Sequence, residues 1–420
     1  MKQSNFQNLA WTSFFEIFKV EYVSKFKIII PFLAALFFSA FILLEHLGIQ
    51  NPIVHTFFAL ISYALILKFS KGHGFWFGFF VGIFWFWGIS ISFLYYDLYF
   101  LVPIVVLFFG VAYGFFFYFL DAYESPFYKA SFLFLFSYLE PFGFNWLKPE
   151  LLLVHSFFEV EKFYFAIILF SIASAIYFKK IWFLALLVIA IKFGIYPSYE
   201  NDLNISMPQL KIPQNARWNE TNKEQIVQTN FKYIDDAIKK KHGLIILPET
   251  AFSMVLNYEP NIFEQLRIKS FKIPIITGAL FYDGKSLYNS TYFFKDGEYK
   301  VAHKMVLVPF GEAVPLPELA KNIVNGIFFG GAEDFVTAKE PTEFEIKRIK
   351  YTNAICYEAT KDELYENEPK YMIAISNMAW FTPSTILDLQ NLLLEYYSRK
   401  YKTKIYHSVN MGENRIFEPK

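Results

Sequence analysis

Residues 351–358 read YTNAICYE and contain Cys356, the single cysteine of the 420-residue chain. The approach to it, Arg348–Ile355, alternates and is rich in β-formers, which predicts a strand. The charged stretch that follows, Glu358–Glu368, predicts a helix. A thiol on a strand-to-helix turn is presented at a sheet edge, where helix N-terminal N–H groups can lower its pKa. The plainer reading is a small buried hydrophobe, so the rest of the chain has to decide.

Working outward, the second half alternates strand and helix signals. Leu203–Leu210 opens like a strand and leads to IPQNARW, which ends at Trp218. Glu220–Lys241 carries Ile226, Phe231, Ile234 and Ile238 on one helical stripe. Apolar runs at Gly243–Pro248, Pro274–Phe281 and Tyr371–Ser376 predict buried strands, and Asn261–Ser270 and Leu387–Tyr401 predict helices. Ser290–Lys295 and Glu298–His303 flank Asp296-Gly297, a hairpin turn signal. Such alternation predicts an α/β layered domain. Three polar residues lie just past strand ends: Glu249 after GLIILP, Lys304 after EYKVAH and Cys356 after IKYTNAI. If they converge, the carboxylate takes the thiol proton, the thiolate attacks a carbonyl and the ammonium stabilises the oxyanion. Glu249 could instead open a helix, and Lys304 could be an ordinary solvated lysine. No Gly-rich phosphate loop or Cys/His metal spacing occurs in the sequence, so neither metal nor cofactor is expected.

The first half is different in kind. Overall 55% of residues are hydrophobic, 21% aromatic and 18% charged, and the charges gather after about Tyr196. The net charge of +1 gives no reason to expect nucleic acid as a partner. Apolar runs at Ile28–Leu44, Ile49–Leu67, Phe75–Tyr95, Tyr99–Leu120, Ala130–Trp146, Phe163–Phe178 and Ile181–Tyr196 each approach the ~20 residues of a spanning helix. Lys2, Lys19, Lys25 and Lys27 precede the first run, and Lys68, Lys71, Lys129, Lys179 and Lys180 occupy the next-but-one connections. The alternate connections hold only Lys148 and Lys162. The positive-inside rule then places the N-terminus in the cytoplasm and, after an odd number of crossings, the second half outside. Gly74, Gly78 and Gly82, with Gly110 and Gly114, predict a close-packed helix pair. Glu140, followed by Pro141 and FGFNW, is either an intramembrane carboxylate or a residue at the wet end of its helix.

LPET (247–250), HKMVLVPFGEAVP (303–315), NAICYE (353–358) and SNMAWF (376–381), in this order, resemble the nitrilase superfamily. With a multi-span N-terminal half, VPFGE and CYE, the chain resembles the membrane-bound apolipoprotein N-acyltransferase branch over nearly its whole length. The resemblance implies an αββα sandwich with a Glu-Lys-Cys triad: Glu249 as general base, Lys304 as oxyanion cation and Cys356 as acyl-accepting nucleophile. It implies supporting roles for Glu312, Tyr357 and Glu358, and substrate contacts for Trp218, Trp380 and Phe381. Glu140 with FGFNW echoes a motif that ends the family's fifth span. The implied reaction moves an acyl chain from a membrane phospholipid to the amine of a diacylated apolipoprotein. The chain departs from the family pattern at Met378 and at Gln390-Asn391, where a Gln-His pair is usual. The family pattern also continues past Asn410-Met411-Gly412 into further strands and an eighth span; with this sequence ending at Lys420, either a short branch of the family or an incomplete sequence is expected.

The expected organisation is therefore a cytoplasmic arm over 1–27, a seven-helix transmembrane domain over 28–198 and a periplasmic nitrilase-like domain over 199–420. Together they make a polytopic α-helical membrane protein of the bacterial inner membrane. Two other readings remain: a membrane-anchored amidase using water as second nucleophile, and a non-catalytic transporter or scaffold. The dearth of charge within the spans disfavours a solute path. Exposed loop aromatics, with Phe252, Phe328, Phe329, Trp380 and Phe381 as candidates, would carry the site towards the bilayer.

Overall fold

The computed structural model of the chain describes residues 27–194, 197–199, 203–309, 312 and 335–419, and the side chain of Phe142 is not described. Most of the N-terminal arm, Phe328 and Phe329 thus lie outside the described residues. The chain forms two units, one of Met1–Leu139 with Leu147–Gly194, the other of Glu140–Trp146 with Ile195–Lys420.

Among the described residues of the first unit the helices are α1 (Ile29–His46), α2 (Pro52–Leu67), α3 (His73–Phe86), α4 (Leu101–Tyr118), α5 (Pro126–Phe136) and α6 (Lys162–Phe178). The helical segments Ile29–His46, His73–Tyr96 and Leu101–Asp121 are long and apolar enough to cross a membrane. Asn51 caps α2 by accepting from the Ile53 N–H at 2.9 Å, with Pro52 in the first turn. Asp121 does the same for α3, accepting from the Gly74 N–H at 2.7 Å. The glycine pattern packs α3 against α4 as expected. A Cβ at Gly74, Gly78 or Gly82 would lie 2.2–2.3 Å from the carbonyl oxygens of Phe117, Tyr113 and Phe109. Only hydrogen at those positions lets the two backbones touch.

Three of the seven expected runs hold helices long and apolar enough to span, α2 and α6 are shorter apolar helices, and the fifth and seventh runs form something else. The fifth stops at Phe136, because Pro141 cannot continue a helix and Glu140–Trp146 leaves to join the second unit. The seventh is a 3-10 segment, Ile181–Ala190, after which Ile191 pairs with Phe158 as an isolated bridge. Hydropathy records that such a run is apolar; it does not record which hydrogen-bond pattern the backbone takes.

The second unit holds two five-stranded sheets. One is ordered β1 (Ile205–Ser206), β2 (Leu244–Ile246), β3 (Ile275–Tyr282), β4 (Leu287–Lys295), β5 (Glu298–His303). The other runs β10 (Arg415–Phe417), β9 (Lys404–Asn410), β8 (Tyr371–Asn377), β7 (Ile349–Ile355), β6 (Glu343–Ile346). Among the described residues four helices accompany them: α7 (Gln214–Arg217), α8 (Glu220–Lys239), α9 (Pro260–Ser270) and α10 (Ile386–Tyr401). The stripe predicted on α8 is real: Phe231 and Ile234 pack with Ile245, Leu247, Leu266 and Tyr292 in one core. The β4–β5 hairpin turns at Asp296 and Gly297, both with positive φ. Sheet faces sheet, with the Ser408 hydroxyl of β9 donating to the Ile246 carbonyl of β2 at 3.1 Å. This is the α/β two-sheet domain that the sequence predicts. The helix expected over Glu358–Glu368 is instead two 3-10 turns, Cys356–Thr360 and Asp362–Tyr365. The strands β9 and β10, which the sequence reading left blank, complete the second sheet.

Candidate active site

The chain leaves β2 through Leu247 and Pro248, and Glu249 is presented on a turn whose next residue, Thr250, has φ +45°. That turn lies directly on β3. A Cβ at Gly278 would sit 2.4 Å from the Thr250 nitrogen and 2.6 Å from Glu249 Cα, so the close approach needs glycine. The Glu249 carboxylate is buried, and each oxygen accepts a hydrogen bond. Asn289 Nδ2 of β4 donates to Oε1 at 2.8 Å, and the Asn377 N–H at the end of β8 donates to Oε2 at 2.8 Å. Burial pushes the Glu249 carboxyl up, and Glu312 adds to this; Lys304, Asn289 and Arg217 pull the other way without cancelling it.

Lys304 follows β5, and its N–H donates to the Asn289 carbonyl at 2.9 Å. Its ammonium is 1% exposed and lies 2.5 Å from Glu312 Oε2 and 4.0 Å from Glu249 Oε1. An ammonium has three N–H donors, so the contact with Glu312 leaves others for an incoming oxyanion. Burial opposes the charge on Lys304, but Glu312, Glu249 and Cys356 outweigh burial and hold the lysine protonated.

Cys356 begins the 3-10 turn after β7 with φ +58°, a left-handed conformation that carries strain for a residue with a Cβ. Burial raises the thiol pKa, Glu249 and Glu312 raise it further, and Lys304 with the Asn377 N–H opposes them less strongly. The resting group is therefore a thiol beside a carboxylate that also titrates high.

Glu358 fixes the frame. Its Oε1 accepts from the Ile355 N–H at 2.7 Å, and its Oε2 accepts from the N–H groups of Met305 (2.6 Å) and Val306 (3.0 Å). One carboxylate thus ties the turn before Cys356 to the loop after Lys304. Burial lifts its pKa to about 7, against the pull of Lys304 and the three N–H donors. Glu312 has a similar office at the other end, accepting from Asn289 Nδ2 at 3.1 Å and from the Val308 N–H at 3.0 Å.

Tyr357 points away from the charges. Its hydroxyl donates to the Gly143 carbonyl at 2.8 Å, and its ring lies parallel to Phe144 at 5.9 Å. Lys361 pairs with Glu140 at 2.5 Å, and Trp146 Nε1 donates to Thr360 Oγ1 at 2.9 Å. Glu140 is thus engaged by the α/β unit. Trp218 is 48% exposed just after α7, and Trp380 and Phe381 are half-buried in the 3-10 turn Met378–Phe381 that follows Asn377. Phe252 is core and offers nothing to a bilayer.

The sequence reading missed Asn289, Asn377 and Arg217. Arg217 is fully buried, and its Nη2 donates to the Glu249 carbonyl at 3.1 Å and to Thr250. Among the described residues no group of three His, Cys, Asp or Glu side chains is placed to hold a metal.

A family model described as "Apolipoprotein N-acyltransferase integral membrane domain" matches residues 25–195. The apolipoprotein N-acyltransferase of Wolinella succinogenes is 41% identical over 399 residues, covering 93% of this chain and 95% of the relative. That of Campylobacter jejuni subsp. jejuni is 35% identical over 408 residues, covering 94% and 90%. Among solved structures, an amidase of the nitrilase superfamily from Nesterenkonia AN1 aligns with 54% of this chain and 86% of its own at 11% identity and a TM-score of 0.39.

Proposed function

The chain belongs to the apolipoprotein N-acyltransferase family, and from that premise we propose that it acylates the N-terminal amine of diacylglyceryl-cysteine in apolipoproteins through a thioester on Cys356. The observation that carries the reading is the buried set of Glu249, Lys304 and Cys356, with Asn377 N–H serving both the carboxylate and the sulfur. In the first half-reaction Glu249 takes the thiol proton and the sulfur attacks an ester carbonyl of a membrane phospholipid. Lys304 receives the oxyanion. As the C–O bond breaks, Glu249 returns the proton to the departing lysophospholipid. In the second, the neutral amine attacks the thioester, the C–S bond breaks, and Glu249 relays the amine proton to the sulfur. Two bulky lipids can then use one site in turn.

The family membership makes the protein a membrane enzyme with lipid and lipoprotein substrates. The finer assignment belongs to the proposal: inner membrane, N-terminus cytoplasmic, α/β unit periplasmic. The basic residues of alternate connections support it. Trp380 and Phe381 are proposed to guide acyl chains, and Trp218 to contact substrate.

Cys356→Ala tests the core of the reading. Purified wild-type protein mixed with phospholipid should gain one acyl mass, mapped to Cys356, and hold it until an amine acceptor arrives. The alanine variant should gain none and fail to acylate lipoprotein in a null strain. Lipoprotein acylation by the variant would overturn the proposal, and steady release of free fatty acid without acceptor would point to a hydrolase.

A further inference from the structure

Beside Cys356 runs a buried polar chain that the mechanism above leaves idle. Gln390 lies in α10 and is 0% exposed; its Nε2 approaches Cys356 Sγ at 4.0 Å and Ser376 Oγ of β8 at 3.4 Å. Ser376 Oγ in turn meets His407 Nε2 of β9 at 2.9 Å, and both residues are fully buried. Two atoms of this chain, Gln390 Oε1 and His407 Nδ1, have no hydrogen-bond partner among the described residues. A buried amide left half satisfied is less stable than an apolar side chain of its shape. The position therefore has a use for the amide beyond filling space.

The sulfur supplies that use. Glu249 and Glu312 oppose its negative charge, and among the described residues Lys304 offers the counter-charge. Lys304 is also committed to Glu312 and must receive the carbonyl oxyanion. Glu358, on the same turn as Cys356, spends its carboxylate on three backbone N–H groups. From the second sheet nothing charged comes through this chain, because burial, aided by Arg415, holds His407 neutral.

We propose that Gln390 is a further catalytic residue, whose Nε2–H donates to the Cys356 sulfur whenever that atom is negative, with Ser376 and His407 as positioning residues for the amide. The inference rests on Cys356 being the nucleophile. The sulfur is negative twice: after its proton has passed to Glu249 and before the S–C bond forms, and again when the C–S bond breaks under attack by the amine. Gln390 neither gives nor takes a proton at either moment. It holds the charge in place while Lys304 serves the oxygen.

The test uses the chain's single thiol. Full-length protein in detergent is alkylated with iodoacetamide across pH and followed by intact mass, so the sulfur's titration is read without any acyl substrate. Gln390→Met keeps length and removes the donor. Its alkylation midpoint should move up by about one pH unit, and its rate at fixed pH below the midpoint should fall about tenfold. Gln390→Glu keeps the shape and should move the midpoint further up. Gln390→His restores an N–H and should return it towards wild type. A midpoint that stays in place in a folded Gln390→Met or Gln390→Glu protein overturns the proposal. Activity of Cys356→Ala would instead break the functional reading, and the two failures are told apart because alkylation does not depend on acyl transfer.

Discussion

The two sheets of the α/β unit address the same sulfur with different chemistry. From the β1–β5 sheet come Glu249, Lys304 and the amide of Asn289, in a dense set of opposed charges. From the β6–β10 sheet come the Asn377 N–H and the neutral pair Ser376 and His407. The contrast teaches where net charge can move. A proton passing from Cys356 to Glu249 travels within a buried group that already contains an ammonium and a second carboxylate. The neutral side need only tolerate the outcome. Two charged walls would have set further carboxylates or ammoniums against the sulfur without solvent to screen them.

Removing the base from the charged side should have the largest consequence. Glu249→Gln keeps the hydrogen bond from Asn289 but cannot accept the thiol proton, so thioester formation should fall by about 10²–10⁴-fold. Adduct accumulation on Cys356, followed by mass spectrometry, measures it; a wild-type rate would remove Glu249 from the role of base and erase the distinction between the sheets.

A smaller and more selective effect is expected where the neutral side is proposed to meet lipid. Trp380→Ala with Phe381→Ala alters the half-buried turn beyond Asn377 and leaves every charged group in place. Transfer from phospholipid should slow by about tenfold, in keeping with the loss of one or two well-packed apolar contacts. Acylation by a water-soluble short-chain thioester should change little. Equal losses with both donors would show that the turn supports the triad and does not guide chains.

A third effect, and the one that tests neutrality itself, lies in pH. Burial lowers the His407 pKa to about 3, against 6.5 for an unfolded histidine. The folded state therefore refuses a proton that the unfolded state accepts. The histidine's contribution is intact above about pH 6.5 and drains away as pH falls towards 3. At pH 4.5 that amounts to about 2–3 kcal/mol. His407→Gln should flatten the acid limb of the unfolding curve in that window and leave the curve near pH 8 almost unmoved. An unchanged acid limb would mean that His407 is charged in the fold, and the second sheet would no longer count as neutral.

Much of this layout can be read in the letters, and the parts that cannot share a cause. Strand exits are visible because an apolar run ends in a polar residue, and that is how Glu249, Lys304 and Cys356 stand out. The helix pair α3–α4 is visible because glycines four apart leave a groove on one face. Arg217, Asn289 and Gln390 are invisible because their value lies in partners 32, 40 and 34 residues distant, across elements whose register no local pattern states. Glu140–Trp146 misleads for the opposite reason. Its aromatics read as the tail of a spanning run, while its hydrogen bonds go to Tyr357, Thr360 and Lys361. Hydropathy sees the rings and not the bonds.

The three bonds of Glu358 have a consequence for how such a site can drift over generations. Because one carboxylate holds both the turn of Cys356 and the loop after Lys304, neither segment can shift by an ångström without dragging the other. Substitutions in the two segments, some fifty residues apart, should then behave as a single hereditary unit. A change tolerated in one would be viable only on backgrounds where the other had already changed to match.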